Sequence, residues 1–274
     1  MAISQLQSES SIPTITLPPP HPAQAEVIAN SALNNVLANG RRWGKTHLAI
    51  DRATGYLVRG DPVGWYSPTY KLLNDAWREA KFLWYHAIAS KNEQEKRIEL
   101  ITGGVIEFWS LEDPDASRGR MYARAFIDEA AHARHLKYAW ENVISAALLD
   151  YGGGADFFST PNGKNYFYKL FMRGKDRETY PDWACWQFPT SANPFIDPEY
   201  VEQRRLELPE MVFAQEHLAE FIEGEGAVFR NIQACINAPV TTKRDHKGHG
   251  IYIGVDWGQK NDFTVCSVGC NTCK

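Results

Sequence analysis

A chain of 274 residues with 44% hydrophobic side chains is long enough to bury a sizeable core. Its net charge of −4 excludes coating nucleic acid by bulk attraction, so any such contact has to come from a local basic patch. No apolar run reaches the roughly 18 residues of a membrane span, and the N-terminus lacks the basic-then-apolar layout of a signal peptide, so an intracellular protein without a membrane partner is expected.

Residues 1–20, rich in Ser and Pro and ending in Leu17-Pro18-Pro19-Pro20, predict a loose arm. Leu33, Val36 and Leu37 predict a strand that runs into Asn39-Gly40-Arg41-Arg42-Trp43-Gly44-Lys45-Thr46. After Thr46, Leu48, Ala49, Arg52, Ala53, Tyr56 and Leu57 recur at helical spacing. Val63–Tyr66 predicts a second strand, followed by a helix with Leu72, Leu73, Ala76, Trp77, Ala80, Leu83 and Trp84 on its apolar face. Apolar runs on either side of Gly103-Gly104 predict a hairpin that extends one edge of a sheet.

Strands are then expected over residues 123–127, 156–159 and 184–188, with a helix over 138–149. This alternation predicts an α/β fold with a mostly parallel sheet flanked by helices. Residues 198–223 are charged and helical with a break near Pro209, read as a small lid or linker subdomain that extends to residue 250. The polar stretch 241–250 marks a boundary. Beyond it, Ile251–Val255, ending in Asp256, and Phe263–Val268 predict the paired strands of a new domain. Five cysteines, three of them in the last nine residues, predict reduced thiols; Cys270 and Cys273 have the spacing of half a zinc site with no second half in reach.

The segment NGRRWGKT nearly spells the phosphate-binding loop G-x-x-x-x-G-K-[ST], with Asn39 in place of the leading glycine. In such a loop Gly40, Gly44 and the helix N-terminus surround the phosphates, Lys45 reaches the β and γ phosphates of ATP, and Thr46 ligates Mg²⁺. A coincidental Gly-Lys-Thr at a helix start is the other reading. Ala125-Phe126-Ile127-Asp128-Glu129 supplies the complement: Asp128 for the Mg²⁺ shell and Glu129 to polarise a water, on a strand expected beside the loop. The plain alternative is a helix N-terminus that favours acids.

Gln24, upstream in His21-Pro22-Ala23-Gln24, has an amide able to read an adenine edge, or is a surface side chain. Ser159 and Thr160 end a strand, where they could sense a γ-phosphate or form an ordinary turn. Arg118 sits in a loop between the hairpin and the acidic strand, either as a guanidinium offered to a neighbour's γ-phosphate or as a solvated charge.

In this order PHPAQ, GRRWGKT, SRG before FIDEA, STPNG, Gly224–Phe229 and Gly254–Gly258 resemble the large terminase subunit, the DNA-packaging ATPase and nuclease of tailed bacteriophages. The resemblance covers the chain from about Pro20 onward. It implies a P-loop NTPase of the ASCE type over residues 21–197, with Arg41 as the loop arginine that contacts phosphates or switches during the cycle and Arg118 as a finger acting on the next subunit. It also implies an RNase H-like nuclease domain beginning at residue 251, in which Asp256 matches the first metal-binding acid and Asp262 a nearby acidic position.

The remaining acids of that domain are absent, so the 274-residue chain is not expected to cut DNA by itself. Partners implied are double-stranded DNA held through its phosphates, the portal, the small terminase subunit and further copies in a ring, by resemblance a pentamer. The place implied is the bacterial host's cytoplasm and, transiently, the procapsid portal vertex. The alternatives are a helicase-like ATPase, a prophage remnant that binds nucleotide without turnover, and a metabolite kinase.

Overall fold

In the computed structural model, which describes residues 14–222, 247–256 and 265–270, the strand leading into the glycine loop is β1 (Asn34–Asn39), buried at every position. That is the signature of a strand covered on both faces of a parallel sheet. Beside it run β2 (Pro62–Ser67), β5 (Val105–Ser110), β6 (Arg124–Ile127), β7 (Gly154–Ser159) and β8 (Trp183–Phe188), all parallel, in the order β5-β2-β6-β7-β1-β8. The hairpin at Gly103-Gly104 joins β5 to the antiparallel β4 (Arg97–Leu100), and β3 (Ile88–Asn92) adds a further antiparallel strand at the edge. β3 escapes the apolar pattern because four of its five positions are exposed.

Alternation along the strands sends side chains into two cores. Leu37, Phe126 and Phe158 meet Leu48 and Ala49 of α2 (Lys45–Val58) and Leu73 and Trp77 of α3 (Tyr70–Leu83) on one face. Val36, Ala125 and Phe157 meet Leu136 of α4 (Leu136–Ala139) and Phe167 and Leu170 of α6 (Tyr166–Lys175) on the other. The helix expected over 138–149 is instead α4, a π turn (Trp140–Ile144) and α5 (Ser145–Ala147), with Trp140 edge-on to Phe157 at 5.0 Å and to Trp183 at 5.9 Å. α6 was not anticipated, although Phe167, Leu170, Phe171 and Gly174 form one buried helical face. Neither was α1 (Pro22–Ala29), which His21 begins as a capping box with Gln24.

α7 (Pro198–Glu207) and α8 (Glu210–Glu216) break near Pro209 as expected, and they belong to the same compact unit, Met1–Glu225, as the sheet. In the second unit, Gly226–Lys274, β9 (Ile251–Asp256) and β10 (Val265–Cys270) form an antiparallel pair with Asp256 opposite Val265. Asp262, Cys273, Lys243, Arg244 and the segment 224–229 lie outside the described residues. Among the described residues no helix is long and apolar enough to cross a membrane.

One buried ion cluster ties the first unit together. Asp156 on β7, fully buried, accepts from Arg124 on β6 (2.5 and 3.0 Å), from Arg52 on α2 (3.0 Å) and from Asn35 on β1 (2.6 Å). Burial pushes the carboxyl up, but Arg124 and Arg52 outweigh it and hold Asp156 below the usual carboxylate range. Removing one member leaves buried charge without its partner, so Asp156→Ala is expected to cost about 3–5 kcal/mol in urea unfolding at pH 7. Because the folded pKa is depressed, the charge's contribution is complete above about pH 4 and declines as pH falls through the folded value, so the gap between wild type and Asp156→Ala narrows in acid.

Candidate functional site

β1, β6 and β7 end together at the carboxyl edge, with Ala38 opposite Ser159 and Phe157 opposite both Val36 and Ile127. Ligands of open α/β sheets bind outside that edge. β6, expected beside the loop strand, is separated from β1 by β7. Strand order is set by crossovers, which the local apolar pattern does not encode. The consequence is that Ser159 and Thr160 lie between the loop and the two carboxylates.

Every carbonyl from Asn39 to Gly44 accepts from a side chain. Lys45 Nζ lies 3.4 Å from both Asn39 O and Gly40 O. Thr190 Oγ1 donates to Arg41 O (2.8 Å) and Asn193 Nδ2 to Arg42 O (2.8 Å). His21 Nε2 donates to Trp43 O (2.9 Å) and Gln24 Nε2 to Gly44 O (3.0 Å). The tautomer of His21 follows from its other nitrogen, which accepts from Gln24 N at 3.4 Å. Leu48 N is the first amide of α2 to close a helical bond, onto Gly44 O, so the preceding amides at the helix start are the ones left to hold an anion.

Two glycines make this path possible. A Cβ on Gly40 would stand 2.6 Å from Thr190 N and 2.7 Å from His217 O, and Gly44 caps α2 at a φ of 100° that side chains rarely adopt. Trp43, fully buried, stacks on Phe188 of β8 at 5.5 Å and meets the His21 ring edge-on at 5.0 Å. It is a packing wedge that fastens the loop to α1 and β8. Gln24 is 6% exposed, not a surface side chain: its Oε1 accepts from His21 N at 3.1 Å and Nε2 donates to Gly44 O, so the amide ties the loop to α1.

The charged groups meet across this frame. Lys45 Nζ donates to Thr160 Oγ1 at 3.0 Å and lies 3.8 Å from Glu129 Oε1. Ser159 Oγ accepts from Ala131 N at 3.1 Å and sits 3.4 Å from Glu129 Oε2. Glu129 holds a left-handed φ of 48°, a strained conformation for a residue with a Cβ and one that concentrates at working sites. Burial first, and then the adjacent Glu129 charge, push Asp128 up to about 7. A cation bound at that carboxylate opposes both effects. Among the described residues no group of three or more His, Cys, Asp or Glu could hold a metal unaided.

Lys45 and Glu129 line an open cleft of about 810 Å³ that also takes in Arg41, Arg42 and Thr46. Arg41 is paired with Glu216 of α8, and its backbone N–H donates to Glu216 O at 2.8 Å. Arg118 is not brought to the cleft; it donates to Asp115 (2.6 Å) and to Tyr138 Oη (2.8 Å) beside a separate depression lined by Asn142 and Asp150. Asp256 lies on the other compact unit.

Residues 36–234 match the family model described as terminase large subunit, T4likevirus-type, N-terminal. The chain belongs to the large terminase subunit family. It is 27% identical over 239 residues to the terminase large subunit of Escherichia phage T5, covering 83% of this chain and 54% of that protein. It is also 27% identical to the large subunit of Thermus virus P23-45, covering 91% of this chain and 60% of the relative. This terminase chain therefore spans little more than half the length of the curated relatives it matches. The large terminase ATPase domain of Thermus phage P74-26 shares the fold, with a TM-score of 0.63 at 23% identity over 74% of this chain and 94% of that one.

Thr190, Asn193, Glu216 and His217 were not singled out in the sequence, because they belong to no short motif and reach the terminase loop only through the fold. His21 was legible only as part of PHPAQ. Truncation of Trp43 removes a buried wedge, so Trp43→Ala is expected to cost about 3–5 kcal/mol of stability and Trp43→Phe clearly less, measured by urea unfolding. Equal midpoints for wild type and Trp43→Ala would show that the indole supports nothing.

Proposed function

We propose that this chain is the ATP-hydrolysing part of a motor that drives double-stranded viral DNA into a procapsid. The observation that carries the proposal is the meeting of Lys45 with Thr160 (3.0 Å) and Glu129 (3.8 Å), beside the buried Asp128 and on a loop whose carbonyls are all engaged. Further support comes from a large terminase of a thermophilic bacteriophage, solved in complex with ADP (TM-score 0.58, 15% identity, 87% of this chain and 60% of that one).

ATP lies with its phosphates against the amides at the start of α2, and Lys45 leaves Glu129 to neutralise the outer phosphates. Thr46 and Asp128 offer hard oxygen donors that would hold Mg²⁺, and the ion would supply dispersal of the phosphate charge. Glu129, freed from Lys45, accepts a proton from the attacking water. Ser159 and Thr160 touch both groups and so respond to whether the last phosphate is present. Arg118, exposed on a different face, is the finger for a neighbouring copy in a ring, most simply a pentamer. The pairs from Arg41 to Glu216 and from Thr190 to His217 carry changes at the loop to α7 and α8, the lid of the motor.

DNA is gripped through its phosphates, independent of sequence and weakened by salt. The portal and the small terminase subunit are the assembly partners, in the host cytoplasm and at the portal vertex. Residues 198–250 serve as the lid and linker, and residues from 251 begin an RNase H-like domain with Asp256 as its first acid.

Mg²⁺-dependent ATP turnover measured over a range of protein concentration tests this. Glu129→Gln is expected to lower kcat by about 10²–10⁴ while ATP still binds. The specific rate rises with concentration for wild type and falls by about 10³ for Arg118→Ala. A chain that binds ATP but turns nothing over at any concentration, with linear duplex DNA present, overturns the hydrolysing part of the proposal for this chain, whether as a remnant or as a motor that needs further parts and the portal.

A further inference from the structure

Cys270-Asn271-Thr272-Cys273 is a motif that the motor does not use. Its spacing lets two thiolates share one metal ion, but along the sequence it has no second half in reach. The fold supplies a donor for that half. β9 and β10 run antiparallel with Ile251 opposite Cys270, so His249, two residues before Ile251, comes level with the end of β10. There His249 Nδ1 lies 3.4 Å from Cys270 Sγ, and both side chains are half-buried.

A thiol hydrogen-bonded to an imidazole stands at this distance, and so do two ligands of one tetrahedral Zn²⁺. With Zn–S near 2.3 Å and Zn–N near 2.05 Å, the tetrahedral angle sets sulfur and nitrogen about 3.6 Å apart. The pair therefore becomes a pair of ligands by losing the thiol proton, with almost no movement. The described residues give these two donors, and Cys273, outside them, follows Cys270 at the spacing that brings a second thiolate to the same ion. Two thiolates and an imidazole select zinc over Mg²⁺, which takes hard oxygen donors.

We propose that His249, Cys270 and Cys273 bind one Zn²⁺, with water as the fourth ligand, and that the ion clips together the open ends of the β9–β10 pair. Among the described residues β9 and β10 form a sheet of two strands alone, an arrangement that is marginally stable in water by itself. A metal that joins their ends supplies folding free energy directly. Asp256 stands at the opposite end of the pair, five residues along β9 from Ile251 and so roughly 17 Å away. The clip is thus a structural staple, apart from any ion that Asp256 would hold.

The whole chain, reduced, loaded with Zn²⁺ and dialysed against metal-free buffer, tests this by metal analysis. About one equivalent of zinc is expected to stay bound, and loading with Co²⁺ instead is expected to give the sulfur-to-cobalt charge-transfer absorption of thiolate ligands. Cys270→Ser and His249→Ala are each expected to weaken binding by about 100-fold or more, beyond what loss of a ligand's supporting partner costs, read by competition with a chromophoric chelator. His249→Cys, which keeps a donor, is expected to retain the metal, as a role in packing alone would not require. Cys185→Ser, on β8, is expected to change nothing. Zinc lost from the wild type on dialysis overturns the proposal, as does a cobalt spectrum without the thiolate band. Equal retention by the wild type and Cys270→Ser overturns it too, and so does a Cys270–Cys273 disulfide in chain prepared in air with zinc present.

Discussion

The constraint on which the site depends is the fastening of the loop carbonyls. A loop that is to hold polyphosphate has to turn its negative ends away from the ligand and keep them turned. Here Thr190, Asn193, His21, Gln24 and Lys45 do so, through one hydrogen bond per carbonyl for Arg41 to Gly44 and a shared ammonium for the two before. The donors are buried and so compete little with water, which strengthens each bond. The glycines at 40 and 44 follow from this: one lets backbone approach backbone, and the other adopts the turn that starts α2.

Around that frame the molecule keeps charge under tension. Lys45 faces Glu129, and Asp128 is desolvated next to a like charge. Glu129 is held at a backbone angle that costs free energy, on the order of 1–3 kcal/mol, which the surrounding sheet sustains. The opposite arrangement is found deeper in the sheet, where Asp156 is matched by two guanidiniums and an amide. One cluster is neutralised and rigid, and the other is left short of positive charge.

Much of the fold was legible because parallel strands buried on both faces and amphipathic helices leave clear periods. Leu48 to Leu57 and Leu73 to Trp84 are examples. β3 was not legible because an edge strand with exposed side chains has no apolar alternation. Strand order was only partly legible: the motif at Ser159-Thr160 was visible, but its insertion between β1 and β6 is a property of the crossovers. At the site, the residues whose chemistry is tied to a short motif, Lys45, Thr46, Asp128 and Glu129, could be named from sequence. Gln24 was named for a base edge, and in the fold its amide also binds the loop, because its donor and acceptor suit a carbonyl and an amide N–H as well as a base. Thr190 and Asn193 serve the loop from about 150 residues away, beyond the reach of any local pattern.

That distance has a bearing on how the protein comes into being. During synthesis β1 and the loop emerge early, yet two of the loop's fastenings wait for residues 190 and 193, and the contacts with α8 wait for residues 216 and 217. Loop closure over so long a span is among the later steps of folding. A nascent chain can therefore own the complete loop sequence and still lack the fastened loop, and a loop with all its carbonyls held becomes a sign that the whole sheet, through its last strand, has been assembled.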